Sequence, residues 1–170
     1  MQLLFASSNV NKLSEIREML PNGYDLISLS DKSFKEELEE TGETLEENAL
    51  QKARFIYQKF KINCFSDDSG LEVAALDNEP GINSAFYAGL PRSDQDNMKL
   101  LLHKMENETT RTARFKTIIA LIFNGKEYLF EGVLDGQIGL EMAGNGGFGY
   151  DPVFIPDGYS VTLAEGGMEL

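Results

Sequence analysis

Apolar residues recur at helical spacing in three stretches of this chain. From Lys12 to Leu20, residues Leu13, Ile16, Met19 and Leu20 share one face, and Pro21-Asn22-Gly23 then stops the helix. From Thr44 to Tyr57 the stripe is Leu45, Ala49, Ala53 and Ile56, and Thr44 followed by Glu47 predicts a capping box. From Asp94 to Met105 the aligned residues are Met98, Leu101, Leu102 and Met105. Shorter apolar runs predict strands over Gln2–Ala6, Tyr24–Leu29 and Ile62–Ser66, with Leu71–Leu76 extended and a turn over Asp77–Gly81. Thr112–Phe123 and Lys126–Phe130 read as two strands joined by Asn124-Gly125, a dipeptide that accepts the positive φ angles of a tight hairpin. Beyond Gly132 the chain turns glycine-rich, with four glycines between Gly144 and Tyr150. The order is βα, then α, β, α and a hairpin, without internal repeat or linker. It predicts an α/β fold on a mixed sheet.

Composition narrows the picture. A chain of 170 residues with 42% hydrophobic content supports a single domain with a sizeable core. No apolar run approaches the roughly 20 residues that span a bilayer. Met1–Phe5 lacks the basic and long apolar segments of a secretory leader. The one cysteine, Cys64, precludes an intrachain disulfide. These features predict a cytoplasmic protein. A formal charge of −13 disfavours nucleic acid and anionic membranes as partners. A small polyanion could still bind where lysines, backbone N–H groups or a metal collect locally.

Four segments hold candidate chemistry. Ser7-Ser8-Asn9-Val10-Asn11-Lys12 lies between a strand and a helix start. It offers hydroxyls, an amide, N–H groups and a cation to a phosphate chain, although Ser or Asn there serves equally as a helix cap. Glu36–Glu47 holds seven acids in twelve residues; one or two could ligate Mg²⁺, the rest forming a solvated face. In Cys64–Gly70 a short strand runs into Asp67 and Asp68, and Ser69-Gly70 is expected to turn the chain. Adjacent carboxylates call for a cation or a proton, so this is the place for a metal and a general base, or else for a turn capped by aspartates. Alternation along a strand lets only one of the two face a given site. In Gly146–Pro152, glycines permit close backbone approach, Phe148 and Tyr150 offer flat faces and Asp151 an acceptor. The same residues could simply make a bend carrying core aromatics. His103 reads as a satisfied or solvated helix residue rather than a catalyst.

Taken together, FASSNVNKLSEIREML, EETGETLEENALQKA, SDDSGLEVAALDNEPGINSAFYAG and GNGGFGYDPVFIPDGYSVTLAE resemble, in order and along nearly the whole chain, the inosine triphosphate pyrophosphatase family. The resemblance implies an elongated mixed β-sheet flanked by helices, two lobes with a central nucleotide cleft, and a homodimer. It implies Mg²⁺-dependent hydrolysis of ITP, dITP or XTP to the monophosphate and pyrophosphate. By motif position, Ser7, Ser8, Asn9, Val10, Asn11 and Lys12 resemble the triphosphate loop, and Glu39 a metal ligand. Asp68 resembles both a metal ligand and the general base, which leaves Asp67 facing away or in support. Ser69 resembles a substrate contact, and Phe148, Gly149, Tyr150 and Asp151 the base-binding segment.

Two departures stand out. The family's Lys-Asn and Ser-His-Arg residues, which follow an Ala-Glu like Ala164-Glu165, would lie past Leu170, so residues 1–170 are expected to form one catalytic domain without that tail. Phe86 stands where the family has an arginine. Two other readings are a nucleotide-binding protein with little turnover and a pyrophosphatase for modified pyrimidine nucleotides.

Overall fold

A computed structural model describes residues 1–167. Its elements are β1 (Gln2–Phe5), α1 (Val10–Met19), β2 (Asp25–Ile27), α2 (Leu45–Phe60), β3 (Cys64–Val73), β4 (Pro80–Gly81), α3 (Asp94–Lys104), β5 (Thr112–Phe123), β6 (Lys126–Ile138), β7 (Phe154–Pro156) and α4 (Leu163–Gly166). Among the described residues, seven strands form one mixed sheet in the order β2-β1-β3-β5-β6-β7, with β4 paired to β3. β1 runs parallel to β2 and to β3, whereas β4 and β7 pair antiparallel with their neighbours. Between β5 and β6, Asn124 (φ 50°) and Gly125 (φ 76°) both take positive φ, as the two central positions of a tight hairpin require.

The chain divides into two compact units, residues 1–68 with 117–131 and residues 69–116 with 132–170. In the first, the α2 stripe Leu45, Ala49, Ala53 and Ile56 packs with Leu4, Cys64, Ile118 and Ala120. Phe5 and Phe65, register partners on β1 and β3, stack at 4.8 Å. In the second, Leu71, Val73, Met98, Leu101, Ile138, Val153 and Phe154 form a separate core.

Several expectations are corrected. Ser69-Gly70 does not turn the chain: β3 continues without a break from Cys64 to Val73. Gly70 is there for close approach, because a Cβ on it would lie 2.5 Å from the carbonyl oxygen of Gly81 on β4. β6 runs through Gly132 to Ile138 rather than ending at Phe130 for a like reason. A Cβ at Gly136 would lie 2.4 Å from the Ile155 carbonyl oxygen, so glycine is what admits β7. The apolar stripe of α1 is not a core face; that helix has no fully buried residue, and Met19 is exposed. The capping box at α2 is shifted by one residue. Thr44 Oγ1 accepts from Glu47 N–H as expected, but the Glu47 carboxylate accepts from the N–H of Glu43. The short β7 and α4 carried no periodic signal; α4 starts with a capping box of its own, Thr162 with Glu165.

Candidate active site

β3 is the element that places the central acids. Because successive strand residues point to opposite faces, Asp67 and Asp68 diverge. Asp67 is 6% exposed and meets Lys12, its Oδ2 lying 2.5 Å from Nζ. Asp68 turns toward α2, where the Asn48 side chain hydrogen-bonds to it and Lys52 acts on it electrostatically. The arrangement brings Asp67 into the cluster as the residue that aims Lys12, a role the alternation argument did not assign.

The α2 side of this cluster is a buried polar network. Asn48 and Lys52, 4% and 8% exposed, sit one helical turn apart on the face that also carries Leu45, Ala49 and Ile56. Asn48 Oδ1 accepts the Gly42 N–H at 2.7 Å and so ties the acidic loop to the helix. The Lys52 ammonium pairs with Glu40. The Glu40 charge is thus felt at Asp68, although Glu39 and Glu40 are both exposed. Burial pushes the Asp68 carboxyl up to about 6. Lys52 opposes that rise, Glu40 adds to it, and Asn48 and Lys12 oppose it. Neither Asn48 nor Lys52 was picked out in the sequence. The available signal was two polar residues three and seven positions after Leu45, on an otherwise apolar helix face.

At the start of α1, Asn9 acts as a cap. Its Oδ1 accepts the N–H groups of Asn11 (3.0 Å) and Lys12 (3.2 Å), and Ser7 Oγ accepts the N–H of Asn9. The cap therefore occupies two of the donors that the loop could have offered to phosphate, while Lys12 keeps its ammonium beside Asp67. Ser8, Val10 and Asn11 are exposed.

The donor set also bears on a metal. Among the described residues no three His, Cys, Asp or Glu side chains converge, so a fully protein-made cage is absent. Mg²⁺ does not need one, since it binds through one or two carboxylates and completes its shell with water and phosphate oxygens. A buried oxygen, Asp67 Oδ1, has no hydrogen-bond partner, and the carboxyl of Asp68 is held well above its ordinary range. Asp68 and its neighbours fit a hard divalent cation.

The second unit holds the glycine-rich segment. Asp94, Met98, Met142, Phe148, Pro152 and the backbone of Gly144–Gly149 line a cleft of about 430 Å³. Phe148 is half-buried there. Tyr150 is buried instead, its hydroxyl donating to the Ser84 carbonyl at 2.7 Å, so its ring belongs to the core. Asp151 folds back, with Oδ2 accepting the Phe148 N–H at 2.9 Å; burial raises its carboxyl, Phe148 N–H counteracts and Asp94 adds to the rise. Ser69 follows Asp68 on β3 and is half-buried.

Fold and cluster define a mixed-sheet α/β protein whose β3 strand carries a carboxylate–lysine site. The Ham1 family model matches residues 3–170, and the chain belongs to the Ham1 family. It is 48% identical over 169 residues to the dITP/XTP pyrophosphatase of Flavobacterium psychrophilum, covering 99% of this chain and 89% of that protein. It is 44% identical to the dITP/XTP pyrophosphatase of Porphyromonas gingivalis, with 99% and 87% covered. The Staphylococcus aureus Ham1 protein superposes with a TM-score of 0.88 at 37% identity, over 99% of this chain and 88% of that one. A Mycobacterium abscessus dITP/XTP pyrophosphatase superposes with a TM-score of 0.82 at 41% identity, over 99% and 90%.

Proposed function

We propose that this protein hydrolyses non-standard purine nucleoside triphosphates, with dITP, ITP and XTP as substrates, to the monophosphate and pyrophosphate. The observation that carries this reading is 48% identity across almost the whole chain to a protein named dITP/XTP pyrophosphatase. The carboxylate–lysine cluster supports it chemically. Asp68 is the general base. A carboxyl raised to about 6 is ionised at neutral pH and still basic enough to take a proton from water. Water adds to phosphorus, its proton passes to Asp68, the α–β phosphoanhydride bond breaks, and pyrophosphate leaves. Lys12 and Lys52 supply positive charge against the phosphates of a tetraanionic substrate on a −13 protein, with Asp67 and Glu40 holding their ammonium groups in place.

Asp68, with a carboxylate of the Glu39-Glu40 pair, would hold Mg²⁺. Bound there, the ion supplies charge neutralisation on the triphosphate and increased acidity of water. By motif position, Ser7–Lys12 contact the phosphates; within the second unit, Ser69 is a substrate contact and the Phe148–Asp151 segment takes the base, with the Phe148 ring as its flat face. The resemblance to the inosine triphosphate pyrophosphatases supports a homodimer. Among the described residues no helix is long and apolar enough to cross a membrane.

The test is to incubate the protein with dITP and Mg²⁺ and measure pyrophosphate. Pyrophosphate release that chelation abolishes and Mg²⁺ restores is expected. Binding without release would replace this reading with that of a nucleotide-binding protein, and orthophosphate as first product would mean that a different bond is cut.

A further inference from the structure

The loop that carries Phe148 is fastened on both sides by carboxylates, and only one of these is part of the loop. Asp151 Oδ2 accepts the Phe148 N–H at 2.9 Å, and Asp151 N–H donates to the Phe148 carbonyl at 3.3 Å, closing a local turn. The second fastening is remote. Asp94, the first residue of α3, accepts the Gly149 N–H through Oδ2 at 2.9 Å, across 55 positions of sequence. Its other oxygen, Oδ1, lies 3.3 Å from Arg92 Nε.

Gly149 sits at φ +61°, and a Cβ built on it would meet nothing within 4 Å. Packing therefore does not hold this residue from the Cβ direction; the hydrogen bond does. A carboxylate accepting an amide N–H makes a charge-assisted bond, stronger than one between neutral groups. The amide in question belongs to the planar Phe148–Gly149 peptide, so fixing its N–H fixes the plane, with the Phe148 carbonyl directed the opposite way. Asp94 and Phe148 also line the same cleft of about 430 Å³.

We infer that Asp94 is a positioning residue for nucleobase recognition, latching the Phe148–Gly149 peptide so that the Phe148 ring is set for a purine. This rests on the reading of Phe148–Asp151 as the base-binding segment. A positioning role predicts an effect on substrates that carry a base and none on the bare phosphate chain.

The experiment compares the full protein with Asp94→Ala and Asp94→Asn. Asp94→Ala is expected to raise KM for dITP tenfold or more with kcat within threefold, while the Kd for inorganic tripolyphosphate stays within twofold. Asp94→Asn, which keeps an oxygen acceptor, is expected to recover most of the lost affinity. Protection of the Gly149 amide against hydrogen exchange, read without substrate, is expected to fall at least tenfold in Asp94→Ala. An unchanged KM for dITP, an equal loss of tripolyphosphate binding, or unchanged Gly149 protection would each overturn the latch. A parent protein that neither binds nor cleaves dITP would overturn the proposed function instead, and the exchange measurement would still decide whether the latch exists.

Discussion

The β3–α2 cluster and the glycine-rich loop reach order by opposite means. In the first, Asp67, Asp68, Asn48 and Lys52 are side chains on regular elements, and strand alternation and helical spacing decide which of them meet. The stakes there are electrostatic: charges removed from water must find counter-charges or shift their protonation. In the second, Phe148 and Gly149 owe their positions to backbone hydrogen bonds, accepted by carboxylates at Asp94 and Asp151. The contrast teaches that the acid cluster carries an electrostatic cost in stability, whereas the loop is held for shape.

The largest effect should come from Asp68→Asn. Loss of a general base costs roughly 10²–10⁴ in rate, and a turnover assay showing less than tenfold loss would remove Asp68 from that role. The same variant should melt no lower than the parent at pH 7.5. The folded-state carboxyl is raised from 3.8 to about 6, so the fold favours its protonated form. That contribution is complete below pH 3.8 and lost as pH rises through about 6. At neutral pH the ionised parent therefore carries a cost that asparagine removes, about 1–2 kcal/mol after allowing for partial exposure. Melting curves at pH 7.5 and pH 3.5 should show the difference shrinking at the lower pH.

Lys52→Met probes the same cluster from the cation's side. Lys52 is the main group opposing the rise of the Asp68 carboxyl, so its removal should move the acid limb of the kcat/KM profile to higher pH. It should also destabilise the protein by about 1–2 kcal/mol, less than a fully buried pair because Glu40 is partly solvated. An unmoved acid limb would mean that Lys52 does not govern Asp68.

For the loop, Gly147→Ala tests whether shape matters independently of charge. A Cβ there would lie 2.0 Å from Asp151 Oδ2, at φ +68°. About 1–3 kcal/mol of strain is expected, appearing as a higher KM for dITP with the pH profile of kcat unchanged. A shifted pH profile would mean that the two regions are not separable in this way. The smallest effect is expected from Tyr150→Phe. Losing the bond to the Ser84 carbonyl should lower stability by about 1 kcal/mol while leaving kcat within twofold.

Much of the architecture was legible because its periods are local. The α2 stripe, the Asn124-Gly125 hairpin and the positions of β1, β2 and β5 follow from spacing and turn chemistry alone. The length of β3 was not legible, because Ser69-Gly70 has the composition of a turn. What keeps it extended is β4, whose backbone comes so close to Gly70 that a side chain would be excluded. The same holds for β6 and Gly136. At the candidate site, Asp67, Asp68, Lys12 and the acidic loop could be singled out as residue types. Asn48, Lys52 and Asp94 could not, since helical residues with polar side chains are ordinarily solvated.

By itself, then, the sequence determined which segments are candidates for chemistry, the order of the main helices and strands, and family membership, because these are written in residue type, spacing and motif order. Only the tertiary structure decided which acid met which lysine, that the Glu40 charge was felt at Asp68, that Tyr150 joined the core while Phe148 faced a cleft, and that Asp94 reached Gly149. Those outcomes depend on contacts between segments distant in the chain, and the energy of a buried charge or a single hydrogen bond is set by its surroundings rather than by its neighbours in sequence.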